Sequence, residues 1–401
     1  MQAVILAAGE GTRMRPLTLN RPKAMLPVAN KPILEGVVLE AQKAGITDFI
    51  IVAGYQAEKI KEYFGNGDKW GVRILYRLQE PARGTADALK AAQNIVRGNF
   101  LVLNGDIIIN EHDIRKLSQS NQITIGVKEV SDPSGLGVIE EKDGLVRHIF
   151  EKPAHPSSKL VNTGIYFMTQ QIFSAIGNTA ESERGEFELT RSIEMLIEQG
   201  VPVRCETVEQ WQDIAYPWDL LEANASVMSG MSACNNGTIE ENVHLKGPIT
   251  IGEGTIIRSG SYLVGPVCIG RDCDIGPNCF IRPSTSIADN CRIGAGVEIK
   301  NSIIMRGTKI PHLSYIGDSI IGENCNLGAG TSIANLRLNK ASIHINGQDT
   351  KHNKLGAILG DGVMTGINVS INAGTVIGNN VWIGPGMLAT GIIADNIHRK
   401  S

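Results

Sequence analysis

The chain has 401 residues, with 38 Lys and Arg against 41 Asp and Glu and a formal charge of −3 at pH 7. That balance excludes a global attraction for nucleic acid or an anionic membrane, so a polyanion has to be bound locally. The length exceeds what one hydrophobic core usually supports, which predicts two domains. Seven cysteines without a CxxC pair predict free thiols rather than a disulfide framework or a zinc site. No apolar run is long enough for a membrane span and Met1 leads straight into a strand-like run, so a cytoplasmic protein is expected.

Residues 1–225 alternate short aliphatic runs with helix-length amphipathic stretches. Residues 4–8, 49–53, 73–78 and 100–104 read as strands, and the alternation predicts an α/β, Rossmann-like domain around a mainly parallel sheet. Directly after the first strand comes Leu6-Ala7-Ala8-Gly9-Glu10-Gly11-Thr12-Arg13, followed by Arg21-Pro22-Lys23. Glycines there allow backbone N–H groups to approach a phosphate. Arg13 and Lys23 fall near the carboxyl end of that strand, the edge at which open α/β sheets bind ligands, where a triphosphate needs cations.

The fourth strand ends in Asn104-Gly105-Asp106 and delivers a carboxylate to the same edge. A Mg²⁺ ion shared with phosphate oxygens takes only one or two protein carboxylates, so Asp219 of Tyr216-Pro217-Trp218-Asp219 is the second ligand candidate beside Asp106. Taken singly, a Gly-x-Gly or either aspartate is equally a turn or cap residue. Their combination with the two cations is what points to phosphate chemistry.

These motifs, together with Gly84-Thr85-Ala86, Glu151-Lys152-Pro153 and Asn162-Thr163-Gly164, resemble the sugar nucleotidylyltransferases over most of residues 1–225. The resemblance implies attack of a sugar-1-phosphate oxygen on the α-phosphorus of a nucleoside triphosphate, with pyrophosphate leaving. It implies that Arg13 and Lys23 hold the triphosphate, and that Leu6, Ala8, Gly9, Gly11, Thr12, Gln79, Gly84 and Thr85 form the nucleotide site. Gly137, Glu151, Lys152 and Asn162 would receive the sugar phosphate, and Asp106 and Asp219 would hold Mg²⁺. UTP and dTTP share the imide edge of the base and both stay open.

After a linker at 226–238, residues 239–401 change rhythm. Ile251, Ile257, Leu263, Ile269, Ile275, Ile281, Ile287, Ile293 and Ile299 recur every sixth residue. One inward aliphatic per hexad is the signature of a left-handed parallel β-helix, three hexads to a coil, with Ile251, Ile269 and Ile287 stacked in a column. Cys273, Cys279, Cys291 and Cys325 each precede an aliphatic of this register by two and are expected as buried structural thiols. The register slips between Ile299 and Ile316 and is lost again across 335–358, and both interruptions are expected to be functional loops. Flat faces and open coil ends predict a homo-oligomer.

The first interruption contains His312-Leu313-Ser314-Tyr315-Ile316-Gly317-Asp318, with Gly328-Ala329-Gly330-Thr331 and Asn335 downstream. This half resembles the acetyltransferase domain of bifunctional N-acetylglucosamine-1-phosphate uridylyltransferases. The resemblance implies that His312 takes a proton from the amino group of an amino-sugar 1-phosphate as it attacks acetyl-CoA. Tyr315 and Asn335 would position that sugar, Arg306 or Lys340 its phosphate, and the assembly would be a trimer. Residues 335–354, with Lys351, His352 and Lys354, depart from the pattern and leave the acceptor open between glucosamine and galactosamine. The alternatives are a glucose-1-phosphate thymidylyl- or uridylyltransferase whose β-helix serves only oligomerisation, and a non-catalytic exchange-factor subunit of the same layout.

Overall fold

The computed structural model describes residues 1–399, and its backbone contacts divide the chain into two compact units. The first comprises Met1–Gly11, Arg21–Leu26 and Pro32–Asp213. The second comprises Thr12–Asn20, Pro27–Lys31 and the chain from Ile214 onward.

The first unit is built on a nine-stranded sheet. Its strands are β1 (Gln2–Ala7), β2 (Asp48–Ala53), β3 (Arg73–Leu78), β4 (Phe100–Asn104), β5 (Thr124–Glu129), β6 (Gly137–Lys142), β7 (Leu145–Glu151), β8 (Leu160–Met168) and β9 (Arg204–Thr207), in the order β3-β2-β1-β4-β8-β5-β9-β7-β6. The first four strands are mutually parallel, as the alternation predicts. Val4, Ile5, Ile50 and Ile51 are fully buried because helices cover both faces, which is why these strands read as unbroken aliphatic runs.

The remainder of the sheet is mixed. β8 runs antiparallel to both β4 and β5, and β6 and β7 form a hairpin. Asp143 and Gly144 between β6 and β7 both have positive φ, 57° and 76°, the two-residue turn that reverses a strand with the natural twist. No helix fits in that connection, so antiparallel pairing follows.

The second unit carries three parallel sheets of nine, nine and eight strands, the faces of a left-handed β-helix. Ile251, Ile269, Ile287, Ile304, Ile321, Leu359, Ile377 and Ile393 pair in succession along the first face and are all buried in one core. Corners between faces are tight, and Asn278, Asn290, Asn324 and Asn368 supply the left-handed conformation that asparagine tolerates better than most residues. Cys268, Cys273, Cys279, Cys291 and Cys325 are buried free thiols. Burial pushes the Cys279 and Cys325 thiols up to about 12, so they behave as small packing groups.

The two interruptions of the hexad register have different physical natures. Ile287 pairs with Ile304, Ile293 with Ile310 and Ile299 with Ile316, each one residue short of a full three-hexad coil. The shortening is taken up at the corner between Ile299 and Ile304, so the expected first loop is absent. Lys309–His312 and Tyr315–Gly317 are ordinary strands of the second and third faces. The second interruption is a true excursion between Ser332–Ile333 and Ala357–Leu359 that carries its own antiparallel hairpin, His344–Ile345 with Gln348–Asp349.

Two candidate active sites

In the first unit the strand ends are locked together by backbone contacts. Gly105 N donates to Leu6 O at 2.9 Å and Tyr55 N to Ala8 O at 3.2 Å. A Cβ on Gly54 would come within 2.7 Å of both Ala8 O and Gln79 O, so the strand ends converge on positions that leave no space for a side chain. Gly9 follows in the same loop, and Gly11 has φ 71° with its α-carbon against Lys23, where a Cβ would lie 2.7 Å from Lys23 Cβ. Lys23 opens the short helix Lys23–Met25 and its Nζ donates to Asp106 Oδ2 at 2.6 Å. The structure therefore brings Gly11, Lys23 and Asp106 together at one sheet edge.

Gln79, Gly84 and Thr85, expected to meet the base, lie in a second turn. Gln79 is buried, and its Nε2 donates to Gly84 O and to Asp87 Oδ2, both at 2.9 Å. With the amide nitrogen engaged, the carbonyl Oε1 is the hydrogen-bonding group Gln79 can offer a base. Gly84 has φ 106°, and Thr85 Oγ1 accepts from Leu189 N at 2.9 Å.

Three sequence-predicted sugar residues meet on neighbouring strands. Gly137 pairs with Glu151, and a Cβ on Gly137 would lie 3.3 Å from Glu151 Oε2 and 3.5 Å from Asn162 Cβ. Asn162 Oδ1 accepts from Gly164 N at 3.1 Å and its Nδ2 donates to Tyr166 Oη at 2.6 Å. Thr190 Oγ1 donates to Glu151 Oε2 at 3.0 Å, while Lys152 Nζ, on a left-handed backbone, stands 3.8 Å from Glu151 Oε1. Burial pushes the Glu151 carboxyl above its ordinary range, with Lys152 and Arg184 opposing and Glu188 adding to the rise. Sequence reasoning missed Thr190, Arg184 and Glu188; the charge-dense Arg184-Gly185-Glu186-Phe187-Glu188 run was the available signal.

Thr12, Arg13 and Asp219 belong to the second unit. Thr12 and Arg13 lie in the short helix Thr12–Met14, and the Arg13 guanidinium sits 5.4 Å from the centre of the Tyr216 ring, which stacks on Trp218 at 4.8 Å. Asp219 Oδ2 accepts from Ala215 N at 2.8 Å and Tyr216 N at 2.7 Å and closes the turn before helix Asp219–Ser229. Carboxylate oxygens are the hard donors Mg²⁺ prefers, and both aspartates fit that chemistry. Among the described residues no three His, Cys, Asp or Glu side chains gather in metal-holding geometry.

On the β-helix, His312 ends its strand exposed to solvent, and its carbonyl accepts from Ser314 Oγ at 2.8 Å and Gly330 N at 3.2 Å. Leu313, with φ 47°, turns the corner to Tyr315. Asn335 Nδ2 donates to Tyr315 Oη at 3.3 Å and to Asp318 Oδ2. Asp318 is buried and also accepts from Lys300 Nζ at 3.2 Å and Asn301 Nδ2 at 2.7 Å. Burial, reinforced by Asp318, pushes the Tyr315 phenol up and keeps it a neutral hydrogen-bonding group.

Tyr315 and Asn335 thus form one cluster next to the corner after His312. Arg306 lies at a different corner, between Ile303–Ile304 and Lys309–His312, and Lys340 is exposed in the excursion. Among the described residues, neither makes a hydrogen bond or ion pair with a member of the cluster. Lys300 and Asp318 were missed as cluster members, although Asp318 closes the very motif that contains His312.

Residues 2–230 match the nucleotidyl transferase family and residues 263–393 the GMPPB C-terminal domain. The chain is 43% identical to the Bifunctional protein GlmU of Methanococcus maripaludis strain S2, over 97% of this chain and 94% of that protein. It is 41% identical to the protein of the same name from Methanocaldococcus jannaschii, over 99% and 96%. The Bifunctional sugar-1-phosphate nucleotidylyltransferase/acetyltransferase of Sulfurisphaera tokodaii is 39% identical over 96% of each chain. Among solved structures, a Bacillus anthracis protein assigned as a glucose-1-phosphate thymidylyltransferase, in complex with sucrose, covers 56% of this chain at 31% identity with a TM-score of 0.52. The near full-length matches, set beside the two sites, establish that this chain belongs to the nucleotidyl transferase family as a bifunctional protein of the GlmU group.

Proposed function

We propose that the chain makes UDP-N-acetylglucosamine in two steps, acetylation of glucosamine-1-phosphate by acetyl-CoA in residues 239–401 and uridylyl transfer from UTP in residues 1–225. The observation that carries this reading is the presence, in one chain, of the Lys23–Asp106 pair and the Tyr315–Asn335–Asp318 cluster beside His312. The full-length relatives named for both activities support it.

In the acetyl step, His312 takes a proton from the 2-amino group as nitrogen bonds to the acetyl carbon, and the carbon–sulfur bond breaks to release coenzyme A thiol. Tyr315 and Asn335 hold the amino sugar. Lys340 or Arg306 meets its phosphate, and the assembly is a trimer.

In the uridylyl step, Lys23 and Arg13 hold the triphosphate and neutralise charge as the sugar phosphate oxygen displaces pyrophosphate. Leu6, Ala8, Gly9, Gly11, Thr12 and Thr85 line the nucleotide, and Gln79 Oε1 accepts from the imide of uracil. Glu151, Asn162 and Gly137 receive N-acetylglucosamine, with Lys152 on its phosphate. Mg²⁺, held by Asp106 and Asp219, would supply further charge neutralisation on the phosphates. On this reading the enzyme works in the cytoplasm.

The Bacillus anthracis likeness, which covers 56% of the chain, favours a second reading in which glucose-1-phosphate is the acceptor and the β-helix is mute. Incubation with acetyl-CoA and glucosamine-1-phosphate, without nucleotide, separates the two. Thiol release that requires the sugar and vanishes in His312→Ala supports the two-step enzyme; absence of release with either glucosamine- or galactosamine-1-phosphate leaves the nucleotidylyltransferase alone.

A further inference from the structure

We infer that Asn379, in the last coils of the β-helix, is a positioning residue for uridylyl transfer: it holds the turn at Pro16 and through that turn sets the place of Arg13. The inference rests on the proposed role of Arg13 in holding the triphosphate. It gives the acetyltransferase half of the chain a part in the other reaction.

Arg13 lies in a segment, Thr12–Asn20, that belongs to the same compact unit as the β-helix. The segment is a run of overlapping turns. Arg15 N donates to Thr12 O at 3.2 Å, Leu17 N to Met14 O at 3.0 Å and Leu19 N to Pro16 O at 3.3 Å. Met14, Leu17 and Thr18 are buried, whereas Arg13 is exposed, its guanidinium 5.4 Å from the centre of the Tyr216 ring. Because each turn overlaps the next, a shift at Pro16 is passed back to Met14 and Arg13.

The β-helix meets this segment at one corner column. Glu323, Asp361, Asn379 and Asp395 each stand two residues after an aliphatic of the first face, Ile321, Leu359, Ile377 and Ile393, and so occupy one corner on successive coils. Glu323 N donates to Asp361 Oδ1 at 2.8 Å, Asp361 N to Asn379 Oδ1 at 2.7 Å and Asn379 N to Asp395 Oδ1 at 2.6 Å. Accepting from the coil before is a task a carboxylate performs at 361 and at 395. At 379 the residue is an amide, which adds two N–H donors that a carboxylate lacks.

Those donors have definite partners. Asn379 Nδ2 donates to Asp395 Oδ1 at 2.9 Å and to Pro16 O at 3.2 Å, the carbonyl that also closes the turn to Leu19. Its Oδ1 accepts from Asn20 Nδ2 at 3.4 Å, and the same Asn20 nitrogen donates to Asp361 Oδ2 at 2.9 Å. Pro16 O and the Asp395 carboxylate only accept, and Asp361 N only donates, so one orientation of the amide satisfies all of them. Asn379 is 5% exposed, and a buried amide with its donors and acceptor engaged is costly to displace. The segment is thereby tied to the β-helix at Pro16 and at Asn20, three and seven residues after Arg13.

A cation that neutralises a triphosphate acts best when it is fixed before the reaction, since reorganising it in the transition state costs rate. Arg13 ends in a long side chain, so its backbone is the part the fold can fix, and the contacts of Asn379 and Asn20 do so. An aspartate at 379 would keep the acceptor for Asp361 N and put an oxygen in place of the donor, against Pro16 O and Asp395 Oδ1.

The test is steady-state kinetics of both reactions on the full-length enzyme, beside hydrogen–deuterium exchange of residues 14–20. Asn379→Asp should speed exchange there and raise the KM for UTP about tenfold, the scale of one lost hydrogen bond with its partner left unpaired. Asn20→Ala should act in the same direction. The KM for N-acetylglucosamine-1-phosphate and the rate of acetyl transfer should match the parent, a split that general destabilisation of the coil does not produce. If Asn379→Asp misfolds and loses acetyl transfer, Asn20→Ala, which leaves the corner column intact, decides. The inference is overturned if the KM for UTP stays at the parent value, if it rises without faster exchange in 14–20, or if the sugar phosphate KM rises equally. If Arg13→Ala leaves uridylyl transfer intact, the parent assignment of Arg13 fails, a distinguishable result.

Discussion

The ammonium of Lys23 lies 2.6 Å from a carboxylate oxygen of Asp106, joining residues 83 positions apart at one sheet edge. Both side chains are mostly shielded, at 13% and 31% exposure, so neither charge is comfortable without the other or a substrate. A triphosphate would give Lys23 a new anionic partner.

Lys23→Ala should therefore cost about 10²–10³ in kcat for pyrophosphate release, the range seen when one preorganised electrostatic donor is removed. Asp106→Asn should likewise abolish that release. Acetyl transfer measured on the same samples should be unchanged, and parallel loss of both activities would sink the two-site assignment.

His312→Ala should do the reverse. Loss of a positioned general base reduces acetyl transfer by about 10²–10⁴. Uridylyl transfer to N-acetylglucosamine-1-phosphate supplied directly should match the parent enzyme.

Gly84→Ala tests the turn that Phe187 and Leu189 close by backbone hydrogen bonds to Arg83 O, Ala86 N and Thr85 Oγ1. The residue has φ 106°, and a Cβ would lie 2.5 Å from Phe187 O, a backbone atom with no freedom to swing away. Strain of about 1–3 kcal/mol is expected, read as a lower Tm and a raised KM for UTP. An unchanged Tm would mean that the Gly84 turn and Phe187 are not packed as described.

Ile293 is fully buried among the stacked aliphatics of the β-helix. Ile293→Val should cost about 1 kcal/mol and Ile293→Ala about 2–5 kcal/mol in chemical denaturation, since the coil cannot collapse into the cavity. Equal small effects would indicate a loosely packed coil.

Glu151→Gln should change the pH dependence of stability. Burial holds the folded carboxyl above its ordinary range, so the ionised form is a net cost at pH values above the folded-state value. That cost fades as pH falls through the folded value and Glu151 becomes protonated. Tm of Glu151→Gln should therefore exceed the parent near neutral pH, with the gap closing toward acid; a gap that widened on acidification would contradict the assignment.

Periodic features were legible without coordinates. Aliphatic runs marked the first four strands because parallel strands covered on both faces cannot alternate, and the hexads marked the coil because each face presents an aliphatic at the same inward position of every coil. Motif order also placed Lys23 and Asp106 at one edge. The antiparallel part of the sheet was less legible, since the Asp143-Gly144 reversal depends on two backbone angles rather than on a long pattern. The first register slip was misread as a loop because a one-residue shortening of a corner and an inserted loop break a sixfold count alike.

The sequence by itself determined the two-part architecture, the stacking register and the residue types available for phosphate and acetyl chemistry, because these follow from local periodicity and short-range spacing. Tertiary structure alone decided that Thr12–Asn20 and Pro27–Lys31, close in the chain to Lys23, pack with the second unit. There Asn30 Nδ2 donates to Cys268 O at 3.3 Å and Ile287 O at 2.7 Å. It alone decided that Arg184 and Thr190 converge on Glu151, and Lys300 and Asn335 on Asp318. Such partners are set by which strands and corners become neighbours, and that choice reflects the burial of whole faces rather than any spacing along the chain.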